Sequence, residues 1–131
     1  MLKTVSIAGI EEDGIPFKKE SIMLEDAAKR VSDGTFTWIE CVVDDITNET
    51  GKILQKLEIN MDPSLLLSGY VTAYEDMEDT LGIMLPFILT GDSRTQTSPV
   101  LIFVKKDLIV TIHDDYGGKI TKLYNLSLIH I

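Results

Sequence analysis

An α/β (α+β) domain, a mixed β-sheet of about six to seven strands with helices packed on it, is the fold class this chain predicts. Three observations carry the prediction. Short apolar or alternating segments bounded by turn residues recur along the chain, as strands do. Between them lie two stretches with apolar residues at helical spacing, from Leu24 to Val31 and from Ile46 to Leu57. Candidate hairpins stand at both ends and helices interleave with strands between them, an order that suits a mixed sheet with helices against it.

From Leu2 to Ile10, Leu2, Thr4, Ser6 and Ala8 share one strand face and Val5 and Ile7 the other. The acidic turn Glu11-Glu12-Asp13-Gly14 leads into a second strand, Ile15 to Lys19, and the two make a hairpin. Leu24, Ala27, Ala28 and Val31 then recur at i, i+3, i+4 and i+7. Glu25 and Asp26 occupy the first turn and Lys29 and Arg30 the last, so the charges oppose the helix dipole and favour a helix that stops near Gly34.

Thr35 to Val43 is rich in β-branched and aromatic residues and reads as a central strand covered on both faces. Trp38 within it, like Tyr74 later, is expected in the core, where replacing the tryptophan by alanine would cost about 3–5 kcal/mol. Asp44-Asp45-Ile46-Thr47 offers several N-caps for a second helix that buries Ile46, Ile53, Leu54 and Leu57. Asp62-Pro63-Ser64 opens a short helix, with Pro63 at its first position, Leu65, Leu66 and Leu67 behind it and an end near Gly69.

Tyr70 to Tyr74 alternates as a strand, an acidic group interrupts, and Leu81 to Leu89 resumes as an apolar strand in which Pro86 requires an edge or a bulge. Thr90 to Ser98 is polar and reads as a loop. Val100 to Val104 and Leu108 to Ile112 form an antiparallel hairpin through Lys105-Lys106-Asp107. After Gly117-Gly118, Ile120, Leu123 and Tyr124 begin a helical pattern with no room to continue. Residues 1–125 are thus read as one domain and 126–131 as a cut or extraneous tail.

The 131 residues suffice to bury roughly two thirds of the unfolded surface. Twelve Lys and Arg against twenty-one Asp and Glu give a net charge of -9, which repels nucleic-acid phosphate and anionic lipid. The same charge attracts divalent cations and equally serves solubility. Cys41, the single cysteine, cannot form an internal disulfide and reads as a small buried hydrophobe. Leu81 to Leu89, the longest apolar stretch, is broken by Pro86 and falls far short of the roughly 20 residues of a spanning helix. No secretory signal opens the chain, which reads as cytosolic.

No nucleophile elbow, P-loop or dinucleotide fingerprint is present, so an enzyme is not expected. His113-Asp114-Asp115 at a strand end could act as a base or ligand. The only other histidine is His130 and no zinc-like spacing exists, so His113 is expected in a solvent-exposed turn. Glu75, Asp76, Glu78 and Asp79 concentrate four carboxylates in five positions. These are the candidate metal residues, since magnesium takes oxygen ligands and keeps several waters, and a solvated acidic turn would look the same.

The series of the Trp38 strand, an acidic helix, Asp62-Pro63, Tyr70-Val71-Thr72-Ala73-Tyr74-Glu75-Asp76 and the strand pair Leu101 to His113 resembles the N-terminal cytoplasmic domain of CorA-type magnesium/cobalt transporters. The resemblance covers about Thr37 to His113. It implies a CorA soluble-domain-like α/β sandwich on the cytoplasmic side of a membrane, gathered into a pentameric funnel, with Mg2+ or Co2+ as regulatory or transported ion and no cofactor required. It also implies that membrane contact runs only through helices beyond this chain, because the Gly-Met-Asn motif and both transmembrane helices are absent. The family often has an acidic residue in the short helix after the proline, where this sequence has Leu67 and Ser68. The alternative expectation is a stand-alone soluble acidic interaction module without a transport role.

Overall fold

The computed structural model describes residues 2–31, 36–68, 73–75, 80–90 and 95–114. Seven strands form one mixed sheet: β1 (Leu2–Ile10), β2 (Pro16–Lys19), β3 (Phe36–Val43), β4 (Ala73–Glu75), β5 (Leu81–Thr90), β6 (Thr95–Lys105) and β7 (Leu108–His113), in the order β2-β1-β3-β7-β6-β5-β4. Every neighbouring pair is antiparallel except β3 and β7. That parallel pair is a seam joining an N-terminal three-stranded half to a C-terminal four-stranded half.

The first hairpin forms as the acidic turn predicts. Gly14 takes φ +82, a conformation open to glycine without steric cost, its amide donates to the Glu11 carbonyl (2.8 Å), and the Ile15 amide donates to Asp13 Oδ1 (3.0 Å). Behind it Arg30 of α1 (Leu24–Val31) lies over the Phe17 ring at 4.9 Å and reaches Glu11 at 3.1 Å. Helix α2 (Ile46–Lys56) is capped by Asp45, whose Oδ1 accepts from the Asn48 amide at 3.3 Å, one of the several caps the sequence offers.

Helix α3 (Ser64–Leu67) begins one residue later than predicted. Pro63 is its cap, and the Asp62 side chain accepts from the Ser64 amide at 2.9 Å and from the Ser64 hydroxyl. These donors hold the Asp62 carboxyl below its usual range. The reason for the offset is local: proline has no side-chain acceptor, so the residue before it does the capping.

The polar stretch Thr90 to Ser98 is not a loop throughout. β5 and β6 stay paired from Leu81↔Val104 out to Thr90↔Thr95, leaving only 91–94 between them. Ladder hydrogen bonds belong to the backbone, so a strand can continue on polar residues once a hairpin has set its register. Pro86 sits opposite Pro99, past the end of β4, where the outer edge of β5 has no partner strand among the described residues. The Lys106-Asp107 turn closes β6 on β7 with Asp107 at φ +62, and the Thr37 amide donates to the Asp107 carbonyl at 2.9 Å.

All three helices pack on one face of the sheet. Val5 and Ile7 of β1, Ile39, Cys41 and Val43 of β3, Leu108, Val110 and Ile112 of β7, and Leu101 and Phe103 of β6 share that face. Leu24 and Ala27 of α1, Ile53 and Leu54 of α2, and Leu66 of α3 cover them. The Cys41 thiol is buried there, which pushes its pKa up to about 12 and makes it the inert hydrophobe the sequence suggests. Strand alternation puts Trp38, Glu40, Thr111 and His113 on the opposite face. The central strand is therefore asymmetric: three apolar residues lie under the helices, and a tryptophan and a carboxylate lie on the other side.

Candidate functional site

The polar group at the centre of the sheet is assembled across the β3–β7 seam. In the parallel register Trp38 stands opposite Ile109, Glu40 opposite Thr111 and Val42 opposite His113. Each β3 side chain then reaches diagonally to the residue two positions further along β7. Trp38 Nε1 donates to Thr111 Oγ1 at 3.1 Å, and Glu40 Oε2 lies 3.9 Å from His113 Nε2. The first contact is a hydrogen bond; the second has the length of an ion pair and exceeds a hydrogen bond.

His113 contradicts the sequence expectation of an exposed turn residue: it is 1% exposed, and Glu40 is 3% exposed. The sheet continues through residue 113, so the ring stands on a strand face and does not enter the acidic turn that follows. Its Nδ1 lies 2.7 Å from the Asp114 carbonyl oxygen. A carbonyl only accepts, so Nδ1 carries the hydrogen. Burial opposes charge on the imidazole, but the Glu40 carboxylate, the Asp114 carbonyl and the Asp114 charge outweigh it and raise the His113 pKa above its ordinary 6.5.

Trp38 is half-buried and tied by its indole nitrogen, so its role is a hydrogen-bonded wall of this group and not full burial in the core. The expected loss of 3–5 kcal/mol on truncation to alanine is accordingly too large for a side chain left partly in water. Sequence reading passed over Glu40. The available signal was a lone carboxylate inside Thr37 to Val43, on the same strand parity as Trp38, because a buried charge requires a partner.

Of the candidate metal residues, Glu75 is the last residue of β4, while Asp76, Glu78 and Asp79 lie outside the described residues. Tyr70, the segment 115–131 and His130 also fall outside them. Among the described residues no group of three or more His, Cys, Asp or Glu is placed to hold a metal ion. Leu67 packs partly against the core, and Ser68 Oγ donates to the Leu65 carbonyl at 2.8 Å, so neither position offers a carboxylate. Two open clefts of about 340 and 330 Å3 flank the helices, the first along α2 and Glu58 to Met61, the second between β1 and the start of α1. Among the described residues no helix is long and apolar enough to cross a membrane.

No family model matches the chain, and no curated protein does. Solved structures do. The soluble domain of CorA from Methanocaldococcus jannaschii superposes with a TM-score of 0.58 at 24% identity, over 93% of this chain and 45% of that one. The complete CorA magnesium transporter from the same organism gives 0.56 at 25% identity, over 96% of this chain and 38% of that one. The chain thus has the mixed-sheet fold of a CorA-like N-terminal domain, and it spans less than half the length of either neighbour.

Proposed function

We propose that this CorA-like domain is the cytoplasmic regulatory part of a divalent-cation transporter, contributing to funnel assembly and to cation-dependent gating, with Mg2+ or Co2+ as cargo and signal. The observation that carries the proposal is the extent of the match: nearly the whole of this chain is used, against 45% and 38% of the two neighbours. In this reading the chain is one part of a transporter whose membrane segments it does not itself supply. The domain is not an enzyme in this reading, and its partners are divalent cations and further copies of itself.

The physical case for gating is electrostatic. A net charge of -9 on each copy makes close packing of identical subunits repulsive. A divalent ion held between carboxylates of adjacent copies cancels that repulsion, and its loss loosens the assembly. The acidic run Glu75 to Asp79 is the segment proposed to supply those carboxylates, each ion keeping most of its waters. The test compares sedimentation velocity and thermal midpoint in millimolar MgCl2 with a monovalent salt at matched ionic strength. A larger sedimenting species and a higher midpoint in magnesium are expected. Equal shifts in the two salts would sink the sensing role, and self-association insensitive to cations would favour the stand-alone acidic interaction module.

A further inference from the structure

Two acceptors do not face each other across a buried gap without something between them. With Nδ1 of His113 committed to the Asp114 carbonyl, the neutral imidazole would turn the lone pair of Nε2 toward the Glu40 carboxylate 3.9 Å away. Nε2 has no hydrogen-bond partner among the described residues and is closed off from water. A proton on Nε2 converts this repulsive arrangement into an ion pair of opposite charges.

The position of the pair gives that proton a structural consequence. β3 and β7 are the two strands on which the halves of the sheet meet, and the described side-chain contacts on the face away from the helices cross the seam at Trp38–Thr111 and Glu40–His113. We propose that Glu40 and His113 form a proton-dependent latch across the seam: with Nε2 protonated the two strands are clamped at their C-terminal ends, and with the proton lost that contact pushes them apart.

Among the described residues the charges acting on the ring are Glu40 from β3 and Asp114, the residue that follows it; β6, on the other side of β7, brings the apolar Ile102, opposite Thr111, to the same face. Both charges are negative and both favour the imidazolium. The sign of the effect follows. A histidine whose folded pKa is raised stabilises the fold fully below its unfolded pKa, near 6.5, and that stabilisation disappears as pH rises through the higher folded value. The latch is closed in mildly acid solution and opens toward alkaline pH.

The full 131-residue chain carrying His130→Gln leaves His113 as the one imidazole, and long-range 1H–15N correlation spectra follow its two nitrogens from pH 5.5 to 8.5. That range stays below the ordinary thiol pKa of 9.0 and so clear of Cys41. The expected result is an imidazolium at pH 6.5 that titrates with a midpoint above 6.5. In Glu40→Gln the midpoint drops, and the β3 and β7 amides lose their pH-dependent protection from exchange. A midpoint at or below 6.5 in the His130→Gln chain overturns the latch, as does one that Glu40→Gln leaves in place. Should Glu40→Gln fail to fold, the titration of the His130→Gln chain alone decides.

Discussion

A Cβ added at Gly9 would sit 2.2 Å from the Phe36 carbonyl oxygen and 2.9 Å from the Phe17 ring, whereas one added at Gly82 would meet the ends of Leu66 (2.8 Å) and Met61 (2.9 Å). Both are too close, but the obstacles differ in kind. The Phe36 oxygen belongs to the neighbouring strand and cannot move without pulling on the β1–β3 ladder. Side-chain ends can rotate aside. Gly9→Ala is therefore expected at or beyond the upper end of the roughly 1–3 kcal/mol that overpacking costs, and Gly82→Ala near its lower end. Urea denaturation of the two variants checks the order, and a Gly9→Ala protein as stable as Gly82→Ala would show that β1 and β3 are not this close. Neither glycine announces such a role in the sequence, because the clash depends on which strand lies alongside. Cys41 is the contrary case: its apolar neighbours already place it inside. His113 shows why residue-level reading fails. The residues that follow it are acidic, and the partner that faces it, Glu40, comes from a strand far upstream.

At the scale of elements, α2 ends in a way its sequence hides. The Ile59 amide donates to the Leu54 carbonyl at 2.9 Å and the Glu58 amide to the Gln55 carbonyl at 3.2 Å, with Glu58 at φ +58 and Leu54 and Ile59 both buried. That is a Schellman ending with glutamate in the left-handed position that glycine usually fills. A side chain there carries a steric penalty of about 1 kcal/mol. Glu58→Gly is expected to stabilise the chain by about 0.5 kcal/mol once the extra freedom of the unfolded glycine is discounted. A lower urea midpoint for Glu58→Gly would contradict the assignment. Elements with their own local chemistry were readable: the β1–β2 turn, the charge order of α1, the Asp45 cap and the β6–β7 hairpin. What was not readable was the polar length of the β5–β6 hairpin. Gln96, Thr97 and Ser98 are strand residues only because Ile88, Leu89 and their neighbours lie opposite them.

Across the whole molecule the seam sets the cooperativity. β3 and β7 are about 70 residues apart in sequence, so their register, and with it the Trp38, Glu40, Thr111 and His113 group, is decided by the closing of the chain and not by any local signal. Yet the core does not divide at the seam. Val5, Ile7 and Ala27 on one side and Leu66, Leu101 and Phe103 on the other belong to one continuous apolar cluster. Trp38, the only tryptophan, stands on the seam itself and reports its local structure by fluorescence, while far-UV circular dichroism reports all strands and helices together. Leu66→Ala removes a side chain 1% exposed that rests on Gly82 of β5, far from the tryptophan along the sheet order. It is expected to cost about 2–5 kcal/mol. If the two halves fold as one unit, the fluorescence and dichroism midpoints coincide in the parent chain and fall together in Leu66→Ala. A dichroism midpoint that falls while the Trp38 transition stays in place would mean that the seam is a boundary between two independently melting halves.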